Sequence, residues 1–266
     1  GTDAKKGVPV QIESVRGVHE VVIYRIENGS EVEALRETKN GEHTLNYAPE
    51  IDFTEATSKL KVVVSDGREG KEAIGYMKAY VNMDVATLNV GSQPLANNAH
   101  VKYPDAFGMV SLNDLKTYSV DYAIANEVNA KNVDFKFYCF GASGSPRLYS
   151  MDNTGKDGEF SGSTGKLSAI KVKNLTRFAI LSNFDYENAT VASISSEILS
   201  SSIAQSLLDP IAVGNVIAFR TGGSSAAGGG RIGVMKVINI TEPKELVSNN
   251  ATARVMTVEI KFPKKK

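Results

Sequence analysis

The segment MDNTGKDGE, Met151 to Glu159, gathers Asp152, Asn153, Asp157 and Glu159 on one glycine-bearing stretch. Oxygen ligands clustered on a short loop are what calcium takes, so Asp152, Asp157 and Glu159 are the candidate metal ligands of this chain. Their spacing departs from an EF-hand loop, and the competing reading is a solvated acidic turn. A second pattern, Gly228-Gly229-Gly230-Arg231-Ile232-Gly233, spells G-x-G-x-x-G. A dinucleotide turn of that spelling needs a strand before it and a helix after it, because the helix N-terminus holds the pyrophosphate. NVIAFRT supplies the strand, but VMKVINI after Gly233 alternates as a second strand would. The expectation is a hairpin tip and no cofactor. GSTGK, Gly162 to Lys166, lacks both the early glycine and the final Ser or Thr of a P-loop, with Phe160 and Leu167 in those places.

Other chemistry is sparse. His19, His43 and His100 are scattered, with no spacing that sets two on one metal. One cysteine, Cys139, excludes an internal disulfide and reads as a buried thiol within VDFKFYCF. GASGS, Gly141 to Ser145, has the wrong register for a nucleophile elbow. Glycoside hydrolysis needs two carboxylates held across a cleft, and among thirty acids nothing selects a pair. No Trp is present to stack on a sugar; Tyr103, Tyr138, Tyr149 and Tyr186 are the aromatic substitutes, each equally explained as packing. No catalytic residue can be named, and the reading leans away from an enzyme.

Thirty basic residues balance thirty acidic ones, so the chain carries no electrostatic footprint for nucleic acid. The terminal KFPKKK reads as a solvated tail. No apolar run approaches the roughly 18 residues of a membrane span. The chain opens GTDAKKG without Met, and Gly1 reads as a trimmed end, which leaves an export signal or a lipid anchor open on a longer precursor.

The elements that must position these residues divide near Asp84. Before it, VPVQIESV, EVVIYRIE, HTLNYAP, KLKVVVSD and EAIGYMKAYV are β-branched or aromatic runs separated by Asn28-Gly29, Asn40-Gly41 and Asp66-Gly67. Short strands with turn signals and no helical pattern predict a β-sandwich over residues 1–84. After it, NVGSQPLANNAH reads as loop. SVDYAIANEVNA predicts a helix capped by Ser119, and a second helix falls within Ser193 to Asp209. VDFKFYCF, NVIAFRT, RIGVMKVINI and ATARVMTVEIKF read as strands, and Gly141 to Gly165 as a long surface loop. Residues 85–266 are therefore expected to form an α+β domain with an antiparallel sheet and about two helices.

The order RGVHEVVIYRIENG, HTLNYAPE, LKVVVSDGREGKEAIGYMKAYV resembles the immunoglobulin-like module of bacterial surface lipoproteins over most of residues 8–82. The later order VDFKFYCFGASG, KVKNLTRFAI, VGNVIAFRT, RIGVMKVINIT is similar to the C-terminal half of uncharacterised Bacteroidetes-type lipoproteins that follow such a module. The resemblance implies an exported protein at the outer membrane surface or in the periplasm, and brings no catalytic residues with it. The functional expectation is a non-catalytic interaction protein for adhesion or glycan capture, its partner a glycan or a cell-surface protein. The alternatives are a structural spacer that presents the second domain, or a carboxylate-dependent glycoside hydrolase.

Overall fold

The computed structural model describes residues 5–265, so the reading of Gly1 and the last lysine of the basic tail lie outside it. Among the described residues the protein is mainly β, with antiparallel sheets and three α-helices. It forms two compact units: residues up to Met83 with Glu187–Ser196, and Asp84–Tyr186 with Glu197–Lys266.

The first unit contains β1 (Lys5–Gly7), β2 (Val10–Glu27), β3 (Ser30–Tyr47), β4 (Glu50–Asp52), β5 (Thr57–Ser65) and β6 (Ala73–Lys78). A four-stranded sheet runs β3-β2-β5-β6, and β1 pairs with β4 in a separate ribbon. Val18, Val21, Ile23 and Leu60 of the sheet share one apolar core with Val8, beside the ribbon, and Ile51 within it. Asn28 and Gly29, at φ 51° and 81°, close the β2–β3 hairpin with the left-handed turn that matches strand twist.

The sequence predicts a break at Asn40-Gly41, whereas β3 runs through it. The pairing slips between Glu13 and Val18 and again between Val18 and Glu20, so the interruption is a bulge inside one hairpin. Gly17 sits at φ 86°, and a Cβ there would lie 2.3 Å from the Gly41 carbonyl oxygen. Ser30 to Glu42, unassigned from sequence, is strand as well. On an edge strand only one face is half-buried, so Ala34, Lys39 and other weak strand formers suffice to carry it.

The second unit is built from two five-stranded sheets. Its strands are β7 (Met83–Gly91), β8 (Met109–Ser111), β9 (Lys116–Tyr118), β10 (Phe135–Phe140), β11 (Ser145–Ser150), β12 (Arg177–Leu181), β13 (Leu207–Leu208), β14 (Val216–Arg220), β15 (Ile232–Ile240) and β16 (Val255–Pro263). The orders are β13-β11-β10-β8-β9 and β12-β14-β15-β16-β7. Phe135, Phe137 and Cys139 of β10 face Phe219, Met235 and Ile260 of the other sheet across a shared core. The intervening Tyr138 points the other way, as a period of two requires. There it joins a second core with Val120, Ala123, Ala130, Phe160 and Leu167. The helices α1 (Val120–Ala125) and α2 (Glu127–Lys131) cover that outer face; α3 (Val191–Glu197) belongs, but for its last residue, to the first unit.

Three local expectations change. The single helix from Ser119 becomes two. Ser119 Oγ accepts from the Tyr122 N–H at 3.2 Å, and Asn126, in extended conformation, accepts from the Asn129 N–H at 2.9 Å to cap a new start. The helix expected up to Asp209 stops at Glu197. Its serine-rich continuation has low helical propensity, and Leu207 and Leu208 pair with β11 instead. Gly141 to Gly165 is not an open surface loop: β11 pairs along all of β10, and Met151, Asp157 and Phe160 are buried.

Candidate functional site

The acidic segment is held by cations from the protein itself. Asp152 accepts two hydrogen bonds from Arg177, both at 2.8 Å, and its carboxyl lies below the usual range, the cost of burial being overcome by the Arg177 and Ser150 hydrogen bonds. Asp157 is buried against the Lys136 ammonium at 2.7 Å, with Lys173 at 3.9 Å. Glu159 pairs with Lys156 at 2.8 Å and accepts from the Tyr138 hydroxyl, and these two bonds lower its carboxyl. The three carboxylates therefore each face their own basic side chains rather than a common centre. Among the described residues no group of three or more His, Cys, Asp or Glu side chains is placed to hold a metal.

The glycine loop joins β14 to β15 as a hairpin connection, with Arg220 opposite Ile232. It is packed down rather than projecting: Thr221, Ser225 and Ala227 are buried, and the Ala226 N–H donates to the Lys131 carbonyl at 2.9 Å. Ser224 donates to Asn174, whose amide spans the Lys131 and Val133 carbonyls at 2.8 Å each. Beneath lies Asp134, fully buried. Its Oδ2 accepts the Leu112 N–H at 2.7 Å, and Oδ1 has no partner of good geometry. Burial pushes this carboxyl up to about 6; the Ser225 hydroxyl and the Leu112 N–H offset part of that, and the charge of Asp114 adds to it. Sequence reasoning passed over Asp134, since an acid opening a strand carries no signal of its own burial.

Tyr138, Tyr149 and Tyr186 are buried packing residues, and Tyr103 packs at the margin of a small cluster with Leu246 and Val255. None forms an open platform.

An opening in this unit lies along the edge strand β12. On one side β12 pairs with β14 through all of its residues. On the other it is bridged only at Phe178, which exchanges backbone hydrogen bonds with Gln205 at 2.8 and 3.1 Å. Alternation then turns the Ile180 N–H and C=O to that same open edge. Beside the bridge lies a groove of about 560 Å³. Ser182, Asn183, Ser202, Gln205 and Glu197 supply its polar groups, and Leu181, Phe184 and Ile198 its apolar floor. The Asn183, Glu197 and Gln205 side chains make no hydrogen bond among the described residues, so their donors and acceptors are free for a ligand. Among the described residues no basic side chain lines the groove.

A second groove, about 490 Å³, lies between β7 and β9 and is lined by Asn89, Asp105, Lys116 and Thr117 among others. There Asn89 accepts from Thr257 at 2.8 Å and Thr117 bonds the Asp105 carbonyl, while Lys116 and the Asp105 carboxylate bring opposite charges to the lining. Sequence reasoning missed the β12 groove because its residues come from separate stretches, 179–184 and 197–205, that are unremarkable alone.

No protein-family model matches the chain, and no curated protein matches it. Among solved structures it is similar to a DUF4466 family protein from Parabacteroides merdae, at 14% identity and a TM-score of 0.45, over 97% of this chain and 87% of that one. At that level the likeness carries neither fold nor function to this chain.

Proposed function

We propose that the protein is a non-catalytic interaction protein whose second unit captures a neutral glycan in the β12 groove. The observation that supports this most is the set of uncommitted Asn183, Glu197 and Gln205 side chains above an apolar floor. Neighbouring sugar hydroxyls each present a donor and an acceptor, which amides and a carboxylate complement, while Phe184 and Ile198 cover the C–H faces. With one carboxylate and no cation in the lining, an anionic ligand would be repelled. A single carboxylate also gives no second acid for a two-carboxylate hydrolysis. A surface or periplasmic setting, and an immunoglobulin-like ancestry for the first unit, rest on the sequence resemblance described above. The 18-residue strands β2 and β3, longer than most, favour a presenting role for that unit as a companion reading.

The test is calorimetry of the purified protein against a panel of neutral oligosaccharides, followed by variants at the groove. Glu197→Gln and Gln205→Ala are expected to weaken binding on the order of tenfold each, as lost hydrogen bonds of about 1.5 kcal/mol do. Because both side chains are exposed, the melting temperature should stay unchanged. Binding that survives both substitutions, or a panel with no ligand at all, would remove the groove from consideration.

A further inference from the structure

β6 is the outer strand of the first unit's sheet, and every one of its six residues is exposed. Ile74, Tyr76 and Met77 are exposed by 53%, 65% and 43%. A strand edge of this kind is a template for another strand, and native proteins ordinarily blunt it. Here the end charges are of opposite sign, Glu72 at one end and Lys78 at the other, which points to a specific occupant.

The hydrogen-bonding parity of β6 is fixed by its neighbour. Ala79 donates its N–H to the Ser58 carbonyl at 2.9 Å, and β6 pairs with β5 in register Met77↔Leu60, Gly75↔Val62, Ala73↔Val64. Alternation then directs the backbone groups of the odd-numbered residues to β5, and those of Glu72, Ile74, Tyr76 and Lys78 outward. An antiparallel partner must meet these outward residues with outward residues of its own. If the partner is a second copy, the two paired residue numbers must then add to an even number. Centring the pair on Gly75 satisfies this condition. Ile74 falls opposite Tyr76, an aromatic–β-branched cross-strand pair on one face. Glu72 falls opposite Lys78, twice by symmetry. Shifting by two residues in either direction removes that charge match and sets Ile74 against Ile74 or Tyr76 against Tyr76.

We propose that β6 pairs with β6 of a second copy, antiparallel about Gly75, to make one eight-stranded sheet from two first units. The contact is isologous, as two-fold association requires. Lys78 also pairs with Glu187 at 3.0 Å, an exposed contact of little strength, so the intermolecular carboxylate can share or replace it. The interface is one strand wide, and the dimer is therefore concentration-dependent rather than permanent.

Sedimentation equilibrium of the whole chain tests this. Wild type should shift from monomer to dimer over the micromolar to millimolar range. Glu72→Lys and Lys78→Glu should each weaken the dimer on the order of tenfold or more, since two favourable pairs become like-charge pairs. Mixing the two variants should restore association as a heterodimer, because every introduced charge then meets its opposite. The register has its own readout. Gly75 lies on the symmetry axis, where facing Cα atoms sit about 4.5 Å apart, within disulfide reach. An added side chain at Gly75 meets nothing within 4 Å. Gly75→Cys should cross-link under mild oxidation, and Met77→Cys should not. A monomer at all concentrations, or a dimer indifferent to both charge variants and cross-linking best through Ile74→Cys or Tyr76→Cys, would overturn the proposal.

Discussion

Asp157→Ala is expected to cost about 3–5 kcal/mol of folding stability, as removal of one partner from a buried ion pair does. The carboxylate faces the Lys136 ammonium at 2.7 Å, and both side chains are almost wholly buried. Lys136 stands on the outer face of β10, where the Asn153 carbonyl at 2.9 Å and the Ser150 carbonyl at 3.3 Å take up its remaining N–H groups. Desolvation lowers the Lys136 pKa, and Asp157 is the largest influence that restores it. Without Asp157 the lysine must either stay charged in a buried site without its close carboxylate or give up its proton, and each outcome is costly. The paired replacement Lys136→Met with Asp157→Leu removes both charges, keeps similar volume, and should be far milder than either single change. Urea unfolding of the two singles and the double measures the coupling. A single change as mild as the double would mean that the pair is not held in the geometry described.

Asp134→Asn should change how stability responds to acid. The folded carboxyl titrates near 6, above its ordinary value of 3.8, because burial disfavours the charge. Between those limits the folded chain binds a proton that the unfolded chain has released. The contribution is therefore fully present below about pH 4 and is lost as the pH rises through about 6. A shift of about 2 units corresponds to about 3 kcal/mol. Asparagine keeps an acceptor for the Leu112 N–H but has no charge to desolvate. The stability of the variant relative to wild type should then rise by about 3 kcal/mol from about pH 4 to about pH 7.5. Denaturant midpoints across that range check it, and parallel curves would show that Asp134 is ionised without penalty.

Much of the fold was legible where period and burial coincide. In β10 the alternation Phe135, Phe137, Cys139 against Lys136, Tyr138 marks a strand with two covered faces, and the structure puts a core on each. The hairpin following Arg220 was legible too, because VMKVINI alternates where a dinucleotide site would need a helix. Short strands were not: Met109–Ser111 and Lys116–Tyr118 are too brief to show a period, and only the first of them is tied to the sheet directly, by pairing with β10 much later in the chain. Asn126 reads from sequence as one more helical residue, because a cap and a helix interior look alike without the backbone.

The acidic segment shows the other limit. Asp152, Asp157 and Glu159 read as a ligand set from spacing alone, yet the cations that face them come from elsewhere in the chain as well as nearby, including Lys136 and Arg177. Sequence proximity brings acids together along the chain and is silent on which long-range neighbour reaches them. The β12 groove is invisible for the same reason, since its walls meet only after the edge strand and the 197–205 stretch are folded.

Cys139, in the interior of the second unit, carries one further consequence. It is wholly buried in the core between the two sheets, and burial pushes its thiol up to about 12. Since the thiolate is the species that alkylating reagents capture, the folded chain shields this atom twice, by access and by protonation. Its neighbours on both sheets must separate before it reacts. The chain's sole sulfhydryl is thus a kinetic gauge of that separation: its labelling rate counts the openings of the inner sheet pair and ignores fraying of the exposed β6 edge.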